Sequence, residues 1–425
     1  MKFLKELFYN LKLKNLKKSL LVKNISYLAI GKGLSQVVSL IGAFYIPRLL
    51  GPEDYGIYQT VLSYVNLFIF FTLVGFDKTA IRESSKNIQQ AKNIIESILG
   101  IKYLTAIVGI IISILVLIFI DYDYTTKIYI VIFSVSLIFK SVHNALYVIY
   151  KAHERLKIVA IFDILRTVLI VSVAIILVKL GYGVFELIVS NLIIVAIFTL
   201  SNFLYSKKYF SIQLFPKVVF IKKYIRPGIN FSIINLLNTL SSRVDIFMLT
   251  LLTSPTNVGI YALAYRMFEK IISLKGAISQ SILPNYSKRL KNNKLKIGDL
   301  YKHSSYMFIL SGLVVLVVNL FSKPFVLNII GEEYIKSAHI INILVVNFAI
   351  GFLSIPWSML LQVSNNEKKL IYLGTIRAIL NIFLNLVFFK LFGLFGIVYS
   401  TLVSHLIYLL FLLFVIHKKI KYKKV

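Results

Sequence analysis

Cysteine is absent from all 425 residues, which excludes a disulfide-stapled secreted scaffold. Acidic side chains are scarce, 17 against 48 lysines and arginines, for a net charge of +31. Charged residues of either sign make up only 15% of the chain, apolar residues make up 58%, and the mean hydropathy is +0.81. A water-soluble protein of this length needs far more polar surface, so this composition describes an integral membrane protein. Also missing are a phosphate-binding glycine loop after a strand and any His/Asp/Glu cluster with metal-ligand spacing. ATP as energy source, a metal and a cofactor are therefore not expected, and neither is an enzyme.

What is present is a succession of long apolar runs. A helix crosses the hydrocarbon in ~20 residues. Twelve such segments are read, near 24–46, 56–76, 96–120, 127–149, 158–178, 183–205, 228–252, 257–283, 303–321, 338–363, 369–389 and 394–416. An open sheet cannot span a bilayer, so the expected fold is an all-α bundle.

The basic residues could suggest nucleic acid, but their placement along the chain speaks against it. With the N-terminus inside, 33 of the 48 fall in cytoplasmic segments and six in external loops. The six are Arg48, Lys127, Lys179, Lys323, Lys336 and Lys390. This alternation follows the positive-inside bias and predicts both termini on the cytoplasmic side of the cell membrane. The acidic pairs Asp121/Asp123 and Glu332/Glu333 lie on short external loops and read as charge balance. Residues 1–23 carry seven lysines around an apolar face of Leu4, Leu7, Phe8 and Leu11. They predict an amphipathic helix on the membrane surface rather than a cleaved signal peptide.

One turn is written twice. "GPEDYGIY" carries Pro52, Gly56, Ile57 and Tyr58, and "SPTNVGIY" carries Pro255, Gly259, Ile260 and Tyr261, 203 residues on. Further echoes pair Arg166 with Arg377 and the run from Lys157 with the run from Lys369. The chain reads as two parallel six-helix halves, pseudo-symmetric about a central cavity. The expected segments are 1–23, an N-lobe 24–205, a cytoplasmic linker 206–227, a C-lobe 228–416 and a basic tail 417–425.

Nine cations and four acids fall inside the spans. An ion at the helix centre costs at least ~2.5–3.5 kcal/mol, so it faces water or a partner. Lys32, Arg166 and Arg377 each lie eight or nine residues from the cytoplasmic end, ~12–14 Å deep. Arg243 lies deeper. Lys102 and Lys275 sit nearer the interface, where snorkelling suffices. Gln36 in the first span, and Asn235 and Asn238 in the seventh, belong to polar stripes that serve either helix packing or a cavity lining. Asp245 and Glu269 are candidates to bind a coupling ion, H+ or Na+, although Glu269 also has Arg266 one turn away as a structural partner. His143 and His405 read as packed or hydrogen-bonded side chains.

"SYLAIGKGLSQVVSLIGAFYIPRLLGPEDYGIY", "RVDIFMLTLLTSPTNVGIYALAYR" and "SILPNYSK" resemble the polysaccharide-exporter (Wzx-type, O-antigen) flippases of the multidrug/oligosaccharidyl-lipid/polysaccharide exporter superfamily. The resemblance covers nearly the whole chain. It implies a two-lobed, twelve-helix transporter working by alternating access on a polyprenyl-diphosphate-linked glycan. A cationic cavity would receive the diphosphate and sugar, with membrane lipids and glycan-assembly proteins as further partners. On that reading Lys32, Arg166, Arg243 and Arg377 would hold the diphosphate, and Gln36, Asn235 and Asn238 would contact diphosphate or sugar. The rival reading is a cation-coupled drug or small-molecule antiporter of the same superfamily, which would favour an acidic cavity.

Overall fold

The computed structural model describes residues 20–72, 88–153, 155–207, 244–292, 294–364 and 366–422. Residues 1–19 of the surface helix expected over 1–23, most of the linker 206–227, and Asn235, Asn238 and Arg243 lie outside them. Every regular element among the described residues is helical. Nine stretches there are long and apolar enough to cross a membrane, and the chain is a multi-pass membrane protein.

The chain divides into two compact units: Met1–Gly42 with Val65–Asn235, and Ala43–Tyr64 with Leu236–Val425. The first helix contributes to both. α1 spans Leu20–Leu67 and turns over at Gly51, whose φ of 75° and ψ of 168° suit a residue without a side chain. Pro52 follows at the start of the second arm, where a missing N–H costs little.

In the first unit the other helices are α2 (Ile88–Ile118), α3 (Tyr124–Ser134), α4 (Ser136–Ala152), α5 (Leu156–Lys179) and α6 (Val184–Lys207). α4 packs on α2 and α6, and α6 on α5. The first arm of α1 approaches α5 closely: a Cβ on Gly31 would stand 2.7 Å from the Ala160 Cβ, and one on Gly42 2.9 Å from Val171. α2 begins at Ile88, inside a segment read from sequence as a connection. The fourth predicted span, 127–149, is not continuous but breaks at Val135 into α3 and α4.

The second unit holds the second arm of α1, a helix at 244–252 (α7), α8 (Pro255–Lys291), α9 (Ile297–Phe325), α10 (Ile335–Leu353), α11 (Ile355–Val363), α12 (Glu367–Phe392) and α13 (Leu394–Tyr422). The tenth predicted span also breaks, at Ser354. Pro356 supplies no N–H to a continuing helix, and the Ser354 hydroxyl donates instead to the Gly351 carbonyl at 2.7 Å. α10 forms the core of this unit, with Ile340, Ile341, Leu344 and Val345 fully enclosed. α9 is the reverse, exposing Phe308, Ile309, Leu313, Leu316, Leu320 and Phe321 as a lipid-facing helix does. α13 continues to Tyr422, so the predicted basic tail is helical over 417–422.

The two copies of the repeated turn touch each other within this unit. A Cβ on Gly56 would stand 1.8 Å from the Pro255 carbonyl oxygen, and a Cβ on Gly259 2.0 Å from the Pro52 carbonyl oxygen. Each glycine is thus required by the proline of the other copy. The α1 turn is anchored nearby: the Tyr334 hydroxyl donates to the Pro47 carbonyl at 3.1 Å, and Arg48 to the Ile329 carbonyl at 2.8 Å.

Candidate functional site

Over its apolar stretch 376–389, α12 carries one polar stripe at i, i+4 and i+8: Arg377, Asn381 and Asn385. α13 answers with Ser400, Thr401, Ser404 and His405, and the two helices are close neighbours. α7 brings Asp245 to this seam. Asp245 is 8% exposed and accepts from Asn385 Nδ2 at 2.9 Å, from Thr401 Oγ1 at 2.8 Å and from the Tyr261 hydroxyl of α8 at 3.3 Å. The Asn385 carbonyl oxygen in turn accepts from the Ser400 hydroxyl, which fixes the amide's orientation. Among the described residues, all three donors to Asp245 are neutral and none of them neutralises the carboxylate's charge.

A small cleft opens at this point, lined by Asp245, Arg377, Asn381, Thr401, Ser404 and His405. Arg377 does not pair with Asp245. Its NH1 donates to His405 Nε2, and its guanidinium lies 5.9 Å from the centre of the Tyr408 ring. His405 Nδ1 is 3.0 Å from the Thr401 carbonyl oxygen. That nitrogen must donate, so Nε2 carries the lone pair that accepts from Arg377, and the imidazole is the neutral Nδ1–H tautomer.

The first unit has a smaller polar group around α5. Asp163 accepts from the Tyr147 hydroxyl at 2.9 Å and pairs with Arg166 at 3.3 Å. Arg166 and Asp163 remain about one third exposed, at 28% and 33% of their side chains. Behind them the His143 ring lies 4.2 Å from the Tyr147 ring, and neither of its nitrogens has a hydrogen-bond partner among the described residues. Lys140, one turn away, lies 4.8 Å from the centre of the Phe133 ring.

Of the residues singled out from sequence, Asp245 and Arg377 come together at one cleft. Glu269 does not line it; Glu269 stays on α8 beside Arg266 at 3.8 Å, and Arg266 reaches Gln59 at 3.5 Å. Lys32 and Gln36 are exposed on the first arm of α1. One snorkelling expectation needs correcting. Lys102 has no exposed surface, because α2 and α4 close together there and Ser141 donates to the Lys102 carbonyl at 2.7 Å. Lys275 stays partly exposed, its Nζ 3.2 Å from where a Cβ on Gly351 would be. The expectation for both histidines holds: His405 is hydrogen-bonded and His143 is buried against the Tyr147 ring. Sequence reasoning missed Asn381, Asn385, Ser400 and Thr401. Their signal was the i, i+4 run of polar residues in two adjacent apolar helices.

Comparison with known proteins agrees with this architecture. A family model described as "Polysaccharide biosynthesis protein" matches residues 21–290. A putative O-antigen transporter of Escherichia coli (strain K12) is 24% identical over 364 residues, covering 84% of this chain and 86% of that protein. Among solved structures, the lipid II flippase MurJ in an inward closed conformation superposes with a TM-score of 0.74 at 14% identity, over 92% of this chain and 87% of that one. An inward-facing multidrug resistance MATE family transporter of the MOP superfamily gives 0.72 at 15% identity, over 94% and 99%. At these identities the structural likenesses establish the fold.

Proposed function

The chain belongs to the polysaccharide biosynthesis protein family, and from that premise we propose that it flips a polyprenyl-diphosphate-linked oligosaccharide across the cytoplasmic membrane by alternating access, both termini facing the cytoplasm. The relative described as an O-antigen transporter and the fold shared with a lipid II flippase support this reading. The observation that carries it is the excess of cations over acids embedded in the first unit. Lys32, Lys102, Lys140 and Arg166 stand against Asp163 and Glu186. An anionic headgroup is the partner that offsets such an excess, and Lys and Arg suit phosphate oxygens.

In this proposal Lys32 and the part-exposed Arg166 receive the diphosphate, Arg243 lies in reserve deeper in the membrane, and Gln36, Asn235 and Asn238 contact phosphate or sugar. Asp245 holds the coupling ion, a proton or Na+, with Asn381 and Thr401 as neighbouring oxygen donors. Glu269, already beside Arg266, is the weaker candidate for that role. Arg377, drawn onto His405 at the rim of the Asp245 cleft, belongs with the ion rather than with the headgroup.

The test is reconstitution into vesicles with a labelled lipid-linked oligosaccharide. Replacing both Lys32 and Arg166 by Gln should reduce transbilayer movement at least about tenfold, the equivalent of ~1.4 kcal/mol. Unchanged movement would remove the diphosphate-binding role. The buried Asp245 carboxylate also favours a second reading, cation-coupled antiport of a drug or other small molecule. Changed resistance to cationic drugs on expression, with no movement of lipid-linked sugar, would select it.

A further inference from the structure

Resting on the reading of Asp245 as the ion site, we infer that Arg377 is a tethered competitor for the coupling cation, and that His405 is the positioning residue that holds it off Asp245. A buried carboxylate and a guanidinium lining one cleft would ordinarily form an ion pair. Here they do not: Asp245 takes three neutral donors, and Arg377 donates to a neutral imidazole. Asp245 is thereby left hydrogen-bonded but without a fixed counter-charge, open to a small cation, Na+ or a proton. With a cation on Asp245, a second positive charge at the carboxylate would be repelled, and the acceptor nitrogen of His405 gives it somewhere to go. With the cation gone, Arg377 is the counter-charge already present in the cleft.

Thr401 ties the two arrangements together. Its hydroxyl serves Asp245 at 2.8 Å, while its carbonyl takes the Nδ1–H of His405 at 3.0 Å and so aims Nε2 at Arg377. One residue of α13 therefore sets both the carboxylate's hydrogen bonding and the imidazole's tautomer. The charged and titratable groups around His405 are Arg377 of α12, Lys275 of α8 and Tyr408 of α13, with Asp245 of α7 lining the same cleft. The chemical class of ligand is a monovalent cation.

The full-length protein in lipid nanodiscs provides the test, with radioactive Na+ as one probe and the pH dependence of thermal unfolding as the proton arm. His405→Ala removes the acceptor, frees Arg377 to reach Asp245, and should weaken Na+ binding by about tenfold or more. If the ion is a proton, no variant binds Na+, and the same substitution should move the pH midpoint of stabilisation to more acidic values. His405→Gln, whose amide oxygen can accept from Arg377, should stay near wild type. Combining His405→Ala with Arg377→Gln should restore binding, an outcome a merely damaged fold would not produce. Asp245→Asn should abolish binding in every background. Wild-type binding by His405→Ala, or no recovery in the double variant, overturns the competition while leaving the ion site standing. Wild-type binding by Asp245→Asn removes the ion site and the inference with it.

Discussion

Asp123 shows how far a single residue can depart from its reading in sequence. It reads as one of a pair of balancing charges on an external loop. In the structure it caps α3, accepting from the Thr126 N–H at 2.9 Å and from the Thr125 hydroxyl. Partial burial pushes its carboxyl up, but the hydrogen bonds from Thr125 and Thr126 outweigh that and hold it below the usual aspartate range. A carboxyl held low when folded stabilises above its unfolded value, near ~3.9, and loses that contribution as the pH falls through its folded value. Asp123→Ala should therefore cost about 1 kcal/mol at neutral pH, as other N-cap losses do. Thermal unfolding of both proteins in detergent should show the gap closing as the pH is taken below about 4. The cap was visible as Asp-Tyr-Thr-Thr ahead of an apolar run, but charge balance explained the same residue and took precedence.

At the scale of elements, helix identity was legible and helix continuity was not. Hydropathy located the apolar runs because the bilayer demands ~20 such residues whatever they pack against. The breaks at Val135 and Ser354 fall inside runs that stay apolar on both sides, so hydropathy passed over them despite Pro356. The partners of Asp245 were hidden for another reason. Asn385 and Thr401 lie 140 and 156 residues further along the chain, and only the packing of α7 against the α12–α13 seam unites them. The glycine crossing, by contrast, was legible through its repetition. Gly56→Ala places a methyl carbon 1.8 Å from a carbonyl oxygen, and backbone cannot give way as a flexible side chain can. Overpacking of this kind costs ~1–3 kcal/mol, so the variant should unfold at a clearly lower temperature in a fluorescence-detected melt. Gly276→Ala, in mid-helix with nothing within 4 Å, should melt no lower than wild type.

For the whole molecule, the charge alternation predicts an orientation that the missing cysteines make simple to measure. Asp121→Cys, on an exposed loop that the alternation places outside, should react with a membrane-impermeant maleimide in intact cells. Lys294→Cys, also exposed, should react only after the membrane is opened. The opposite pattern would invert the topology and place the basic segments outside. The reciprocal contact of the two repeated turns bears on the history of the chain as well as on its shape. Once two copies of a motif lean on each other's glycines, neither can drift alone, because any side chain gained by one strikes the backbone of the other. A change in both, made after the helices had moved apart, would meet a crossing already loosened and do less harm than the two changes summed. Divergence elsewhere could proceed one residue at a time, while this pair was held by mutual exclusion, and for that reason the duplication can still be read in the sequence.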